Sequence, residues 1–279
     1  MGGLFYNLGK KVGPKVRKAR WMWLSATGSE ADAIAVEYSV GVDLAHEIRS
    51  QLDLAPGPRE TRDEGRGTRD ERRRAHRPSS LVHRPSVLSS SIVPFIGRRL
   101  ADCVANKYRR FAFEIAKDAE PNAFALPGGF IFVTQSLVDL CRGDRDAIAF
   151  ILGHEMAHVI RGHAMNRIVS SSAINIACRV APTRGLLSGW LRRVGVQFLQ
   201  SAYSQDMESQ ADRLALRLVA AAGYDPKGGV RLFERLAALS AAPSQIDLGK
   251  YFSSHPSFEA RIRAINKLLG NRRSKILNP

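Results

Sequence analysis

No two of the three cysteines, Cys103, Cys141 and Cys178, lie close enough to form a CxxC pair. That spacing argues against a disulfide framework and against a thiolate metal site, and it fits a reducing compartment. Long apolar runs are missing as well. Nothing approaches the roughly 20 consecutive apolar residues that cross a bilayer, and the stretch from Ala147 to Leu152 gives way at once to His154 and Glu155. Acid is missing from the first 29 residues, which hold Lys10, Lys11, Lys15, Arg17, Lys18 and Arg20, a local charge of +6. A secretory signal places positive charge ahead of its apolar stretch. Here "MGGLFYNLG" precedes "KKVGPKVRKARWMW". Gly2 would suit a myristoylated start, but Tyr6 stands where that signal needs Ser or Thr. There is no internal repeat.

The formal charge is +16 over 279 residues. Residues 57–85 hold nine arginines against five acids, so this segment and the first 29 residues together hold ten of the sixteen net charges. A basic tail attracts anionic membrane or nucleic acid, or simply keeps the chain soluble. Trp21 and Trp23 beside the basic cluster suit a membrane surface. An acid-free basic N-terminus equally suits an organelle-targeting peptide. The acids interleaved in 57–85 argue against a nucleic-acid-binding tract, so nucleic acid is not an expected partner.

Length and composition fit one domain with appendages. After the basic segment 1–29, Ile34, Tyr38, Val42, Ala45, Ile48 and Leu52 recur at steps of three and four, which predicts a helix packed on the core within 30–56. Residues 57–93 are rich in Arg, Gly and Pro. They read as a disordered linker or insertion, because so little apolar surface cannot offset the entropy of ordering. The folded core spans 94–270, and 271–279 form a tail. Within the core, "RRLADCVANKY" reads as a helix, "RFAFEIAKD" as a strand, and "NAFALPGGFIFVTQSLVDLC" as strand, turn, strand and helix. Asp144 and Asp146 sit where an N-cap and a first-turn acid belong, and a long helix is expected from there to about Val169. "TRGLLSGWLRRVGVQFLQSAYS" reads as helical with a break at Gly185 to Gly189, and "MESQADRLALRLVAAAG" as a helix closed by Gly223. Two amphipathic helices follow. The class is α+β, predominantly helical with one small sheet.

His154, Glu155 and His158 form an HExxH pattern. Residues i and i+4 lie on one helical face, so both imidazoles converge, as a Zn²⁺ site requires. Glu155 points to one side, placed to take a proton without being a ligand. The alternative is a chance motif whose histidines are hydrogen-bonded. His163 does not complete a longer motif: HExxHxxGxxH needs glycine and histidine where this chain has Arg161 and Ala164. Projected along a continuous helix, His163 points about 140° away from His158, which makes it a surface or packing residue. A catalytic zinc takes a third protein ligand and keeps an open position. Glu208 fits that role on its helix, with Asp206 as a rival. Asp212, four residues after Glu208, fits as the acceptor that fixes a ligating histidine, with Leu214, Leu218 and Ala221 as the core side of the helix. The alternative for the two acids is a solvated helix face.

Four blocks, "EPNAFALPGGFIFVTQSLVDLC", "LGHEMAHVIRGHA", "SQDMESQADRLALRLVAAAGYDP" and "SSHPSFEARIRAI", resemble in order the M48 family of zinc metallopeptidases. They are most similar to its soluble or peripheral, Oma-type branch. The resemblance implies a zincin-like peptidase domain over 94–270. It implies one Zn²⁺ on His154, His158 and Glu208, Glu155 as general base, Asp212 behind the ligands, and His255 with Arg261 stabilising the transition state. It places the strand holding Asn122, Ala123, Phe124 and Ala125 beside the zinc. An edge strand there would pair with an extended polypeptide through backbone hydrogen bonds and need little sequence specificity. The expected activity is hydrolysis of unfolded or damaged proteins, in the cytoplasm with peripheral membrane contact, or in mitochondria if the source is eukaryotic. The competing readings are an inactive zinc-binding chaperone or scaffold, against which the intact Glu155 argues, and a basic membrane- or nucleic-acid-binding protein with an incidental motif.

Overall fold

The computed structural model describes residues 29–52, 54, 87–170, 203–241 and 258–272. The basic segment, the Arg-rich stretch up to 86, the expected helix ahead of Tyr203, His255 and the last seven residues lie outside the described residues.

Helix α1, Glu30–Gln51, starts at Ser29, whose hydroxyl accepts from the Asp32 N–H while the Asp32 carboxylate reaches back to the Ser29 N–H. Such a reciprocal cap satisfies two donors that the first turn leaves open. Its buried face is Ile34, Glu37, Gly41, Leu44, Ala45 and Ile48. Tyr38 and Val42, expected on that face, are exposed. The stripe turns by one position because α1 crosses the backbone of the turn at Pro127 to Gly129. A β-carbon on Gly41 would meet the Pro127 carbonyl oxygen, and Glu37 accepts from the Gly128 N–H and pairs with Arg109.

Helix α2, Val87–Asp102, begins inside the segment read as a linker, and Pro94 lies within it. Strands β1, Ala112–Ala116, β2, Ala123–Leu126, and β3, Phe130–Thr134, form a sheet of order β1-β3-β2, with β1 parallel and β2 antiparallel to β3. β2 and β3 are joined by the expected Pro-Gly-Gly turn, in which Gly128 has φ 76°. Phe124, Leu126, Phe130 and Phe132 pack under α1 with Leu44, Ala45 and Ile48. The alternate residues Ala123, Ala125, Ile131 and Val133 join the main core. Burial on both faces explains why these strands read as continuous apolar runs.

After the short helix α3, Gln135–Leu140, comes α4, Arg145–Ile160, capped by the Asp144 carboxylate on the Ala147 N–H. Every residue of α4 from Ala147 to Val159 is buried. The helix does not continue to Val169. Arg161 ends it, Gly162 takes φ 71°, and α5, His163–Ser170, departs in a new direction. Left-handed glycine is a common helix terminator. Helices α6, Gln205–Ala221, α7, Gly228–Ala241, and α8, Phe258–Arg272, complete the described fold. α4 lies at its centre, against the sheet, α2, α6 and α7. The architecture is the expected α+β class.

Candidate metal centre

His154 and His158 project from one turn of α4, and Glu208 from the first turn of α6; all three are buried. The α4–α6 contact is close because Gly153 faces Ala215 and Val219 without a side chain. Ser204 caps α6 by accepting from the Met207 N–H, so the helix starts about two turns before Asp212. Its buried face is Glu208, Ala211, Asp212, Ala215, Leu216, Leu218 and Val219. The acids therefore lie on the core face of α6, and Ala221, expected there, is exposed. Asp206, the rival ligand, is exposed and accepts from the Gln210 amide.

The two Nε2 atoms lie 3.1 Å apart, and the Glu208 oxygens stand 3.4 Å from each of them. Ligand atoms placed tetrahedrally around a zinc-sized ion at about 2.05 Å are separated by about 3.3 Å. The three side chains thus fit one face of such a shell. This is the metal-ligand cluster found among the described residues. Two imidazoles and a carboxylate suit zinc by donor type.

Behind His154, its Nδ1 meets the Asp212 carboxylate at 3.0 Å. That acceptor holds the proton on Nδ1 and leaves the Nε2 lone pair facing the cluster. Arg261 grips Asp212 with two nitrogens, at 2.6 and 2.9 Å, and reaches Glu208 at 3.0 Å. It also stacks over the Phe233 ring at 4.3 Å. Burial would raise the Asp212 carboxyl, but Arg261 and His154 carry it down to about 2. For His154, burial and Arg261 act downward. The charges and hydrogen bonds of Glu208 and Asp212 prevail and push the imidazole up to about 9. The cluster favours a positive charge among its ligands.

Glu155 is buried one residue beyond His154, and its charge is felt at Arg167 and Tyr203. Tyr203 stacks on the His158 ring at 3.8 Å, and the Arg167 guanidinium carbon lies 3.3 Å from the centre of the Tyr203 ring. Burial pushes the Tyr203 phenol up and the Arg167 guanidinium down. No spacing in the sequence singles out either residue.

His163 is buried, and its Nδ1 lies 3.2 Å from Nδ1 of His158. The 140° projection fails because the helix breaks at Arg161 and Gly162; the glycine was the readable sign. At the sheet, β2 is one of the two edge strands, as the peptide-binding expectation for Ala123, Phe124 and Ala125 requires. Asn122 fixes its backbone on Thr134, while its side-chain amide is buried with no hydrogen-bond partner among the described residues. No helix among the described residues is long and apolar enough to cross a membrane.

The model of peptidase family M48 matches residues 93–269. The mitochondrial metalloendopeptidase OMA1 of Schizosaccharomyces pombe is 35% identical over 162 residues, 57% of this chain and 47% of that protein. The metalloproteases YcaL and LoiP of Escherichia coli are each 30% identical, over 55% and 54% of this chain and 60% and 59% of their own. The chain spans about half the length of these relatives. With more than half of its residues matched by the family model, the chain belongs to peptidase family M48.

Proposed function

We propose that this chain is a zinc-dependent endopeptidase acting on unfolded or damaged polypeptides. The observation that carries the reading is the convergence of His154, His158 and Glu208 beside a buried Glu155. His154, His158 and Glu208 would hold the cation, which when bound supplies Lewis-acid polarisation of a carbonyl and lowers the pKa of a coordinated water. Glu155 takes the proton of the attacking water and delivers it to the leaving amine. Asp212 keeps His154 in the ligating tautomer, and Arg261 holds both α6 carboxylates in place. His255 and Arg261 stabilise the oxyanion as charge develops on it.

The edge strand β2 receives an extended substrate through its backbone, and the Asn122 amide, which has no hydrogen-bond partner among the described residues, is a donor and acceptor that an incoming peptide would satisfy. Recognition of backbone suits a broad range of unfolded chains. The basic residues 1–29 touch an anionic membrane peripherally. The relatives named mitochondrial support that compartment for a eukaryotic source, with the cytoplasm as the setting otherwise.

The test uses full-length protein with zinc and casein as an unfolded substrate. Wild type cleaves, chelation stops cleavage, and Glu155→Gln lowers the rate by about 10²-fold or more while keeping its zinc. Cleavage by Glu155→Gln at the wild-type rate would remove Glu155 from the mechanism. A zinc-loaded wild type that binds casein and never cleaves it would favour the inactive scaffold.

A further inference from the structure

We propose that His163 is a positioning residue for the metal centre, the acceptor that fixes His158 in its ligating tautomer. The proposal rests on the metal-centre reading and adds a residue to it.

A neutral imidazole has one N–H. His158 turns Nε2 toward His154 and Glu208, so a lone pair is needed there and the proton must sit on Nδ1. At 3.2 Å from that nitrogen is Nδ1 of His163, which must then be the acceptor. His163 in turn carries its own proton on Nε2. With both histidines neutral, donor and acceptor match across this contact, and both rings are buried, so water does not compete for it.

One local feature builds this contact. The left-handed Gly162 turns the chain after α4, so that a residue five positions beyond His158 returns to it. The two ligand histidines are therefore held differently. His154 leans on the carboxylate Asp212, and His158 on the neutral His163. An anionic acceptor makes an imidazole a stronger ligand than a neutral one does, so the centre is asymmetric by construction.

The test measures zinc affinity of full-length protein by competition with a chromogenic chelator, and the visible spectrum of the cobalt(II)-substituted protein. His163→Leu keeps the volume and removes the acceptor. It should weaken zinc binding by about 10–100-fold and alter the cobalt spectrum. His163→Asn places an amide oxygen near the lost Nδ1 and should restore most of the affinity, which a purely packing role would not allow. If His163→Leu does not fold, the imidazole nitrogen signals of zinc-loaded wild type in NMR decide instead: the His158 Nδ1 should carry a proton coupled across to the His163 Nδ1. Wild-type affinity and spectrum in His163→Leu, or a His158 Nδ1 with no such coupling where that variant does not fold, overturn the positioning role while leaving the metal centre intact. A wild type that takes up no zinc or cobalt overturns the centre itself and the positioning role with it.

Discussion

Arg261 and Arg231 show how burial, more than the number of ion pairs, decides what a charge is worth. Arg231 reaches three acids, Asp144, Asp146 and Asp225, yet its side chain is 36% exposed. Arg261 reaches Asp212 and Glu208 with a side chain only 6% exposed. Water screens the first set, where a pair contributes about 0–1 kcal/mol. Removing Arg261 would leave two buried carboxylates uncompensated, a loss of about 3–5 kcal/mol. Arg261→Met should therefore lower the urea-unfolding free energy by at least twice as much as Arg231→Met. Equal losses would mean that Arg261 is solvated in the native protein. At this scale the sequence is informative only locally. Glu208 and Asp212 announce a shared helix face by their spacing, but nothing in α6 says that the face is buried or that its counter-charge arrives 49 residues after Asp212. Arg261 could be named in advance only through the family resemblance. Tyr203 carries no such pattern and could not be named at all.

At the scale of elements, the packing of α1 tests whether the described face is the right one. A glycine in an exposed helix is improved by alanine, by about 1 kcal/mol. At Gly41 the added β-carbon would lie 1.9 Å from the Pro127 carbonyl oxygen. That neighbour is backbone and cannot swing aside. Overpacking of this kind costs about 1–3 kcal/mol, so Gly41→Ala should destabilise the protein, against the propensity trend, as read by thermal unfolding. A stabilised variant would mean that α1 does not rest on the Pro127 turn. The sequence places α1 correctly and misjudges its face, because Tyr38 and Val42 satisfy the same period as Glu37 and Gly41. A buried, ion-paired glutamate and a contact glycine have no apolar signature. The same reason hides the join between α4 and α5. Both sides carry helix-forming residues, and only the conformation of Gly162 separates them. The start of α2 is hidden by serines and Pro94, which resemble linker composition. The sheet and its turn were legible throughout, since Pro-Gly-Gly between two apolar runs admits few other conformations.

For the molecule as a whole, a metal held by His154, His158 and Glu208 would cross-link α4 and α6, and the strength of that link would depend on pH through His154. In protein stripped of metal, the folded state holds this imidazole protonated up to about pH 9, against about 6.5 for an unfolded chain. The raised value means a stabilisation that is complete below about pH 6.5 and lost as pH rises through about 9. It amounts to something on the order of 3 kcal/mol. Asp212 acts in the opposite sense. Its carboxyl, held at about 2, stabilises the fold above its ordinary range near 3.9 and ceases to do so as pH falls through about 2. Zinc needs the same His154 nitrogen that the proton occupies, so binding expels one proton. Its apparent affinity should rise about tenfold per pH unit below pH 9. Bound metal stabilises the native state by mass action. The melting temperatures of zinc-loaded and chelator-treated full-length protein should therefore draw apart as pH rises from 6.5 to 8.5. The loaded form gains affinity over that range while the stabilisation that the His154 proton gives the stripped form fades. A constant gap would show that His154 carries no proton in the stripped protein. A narrowing one would show that a group outside the His154, His158 and Glu208 cluster controls the metal.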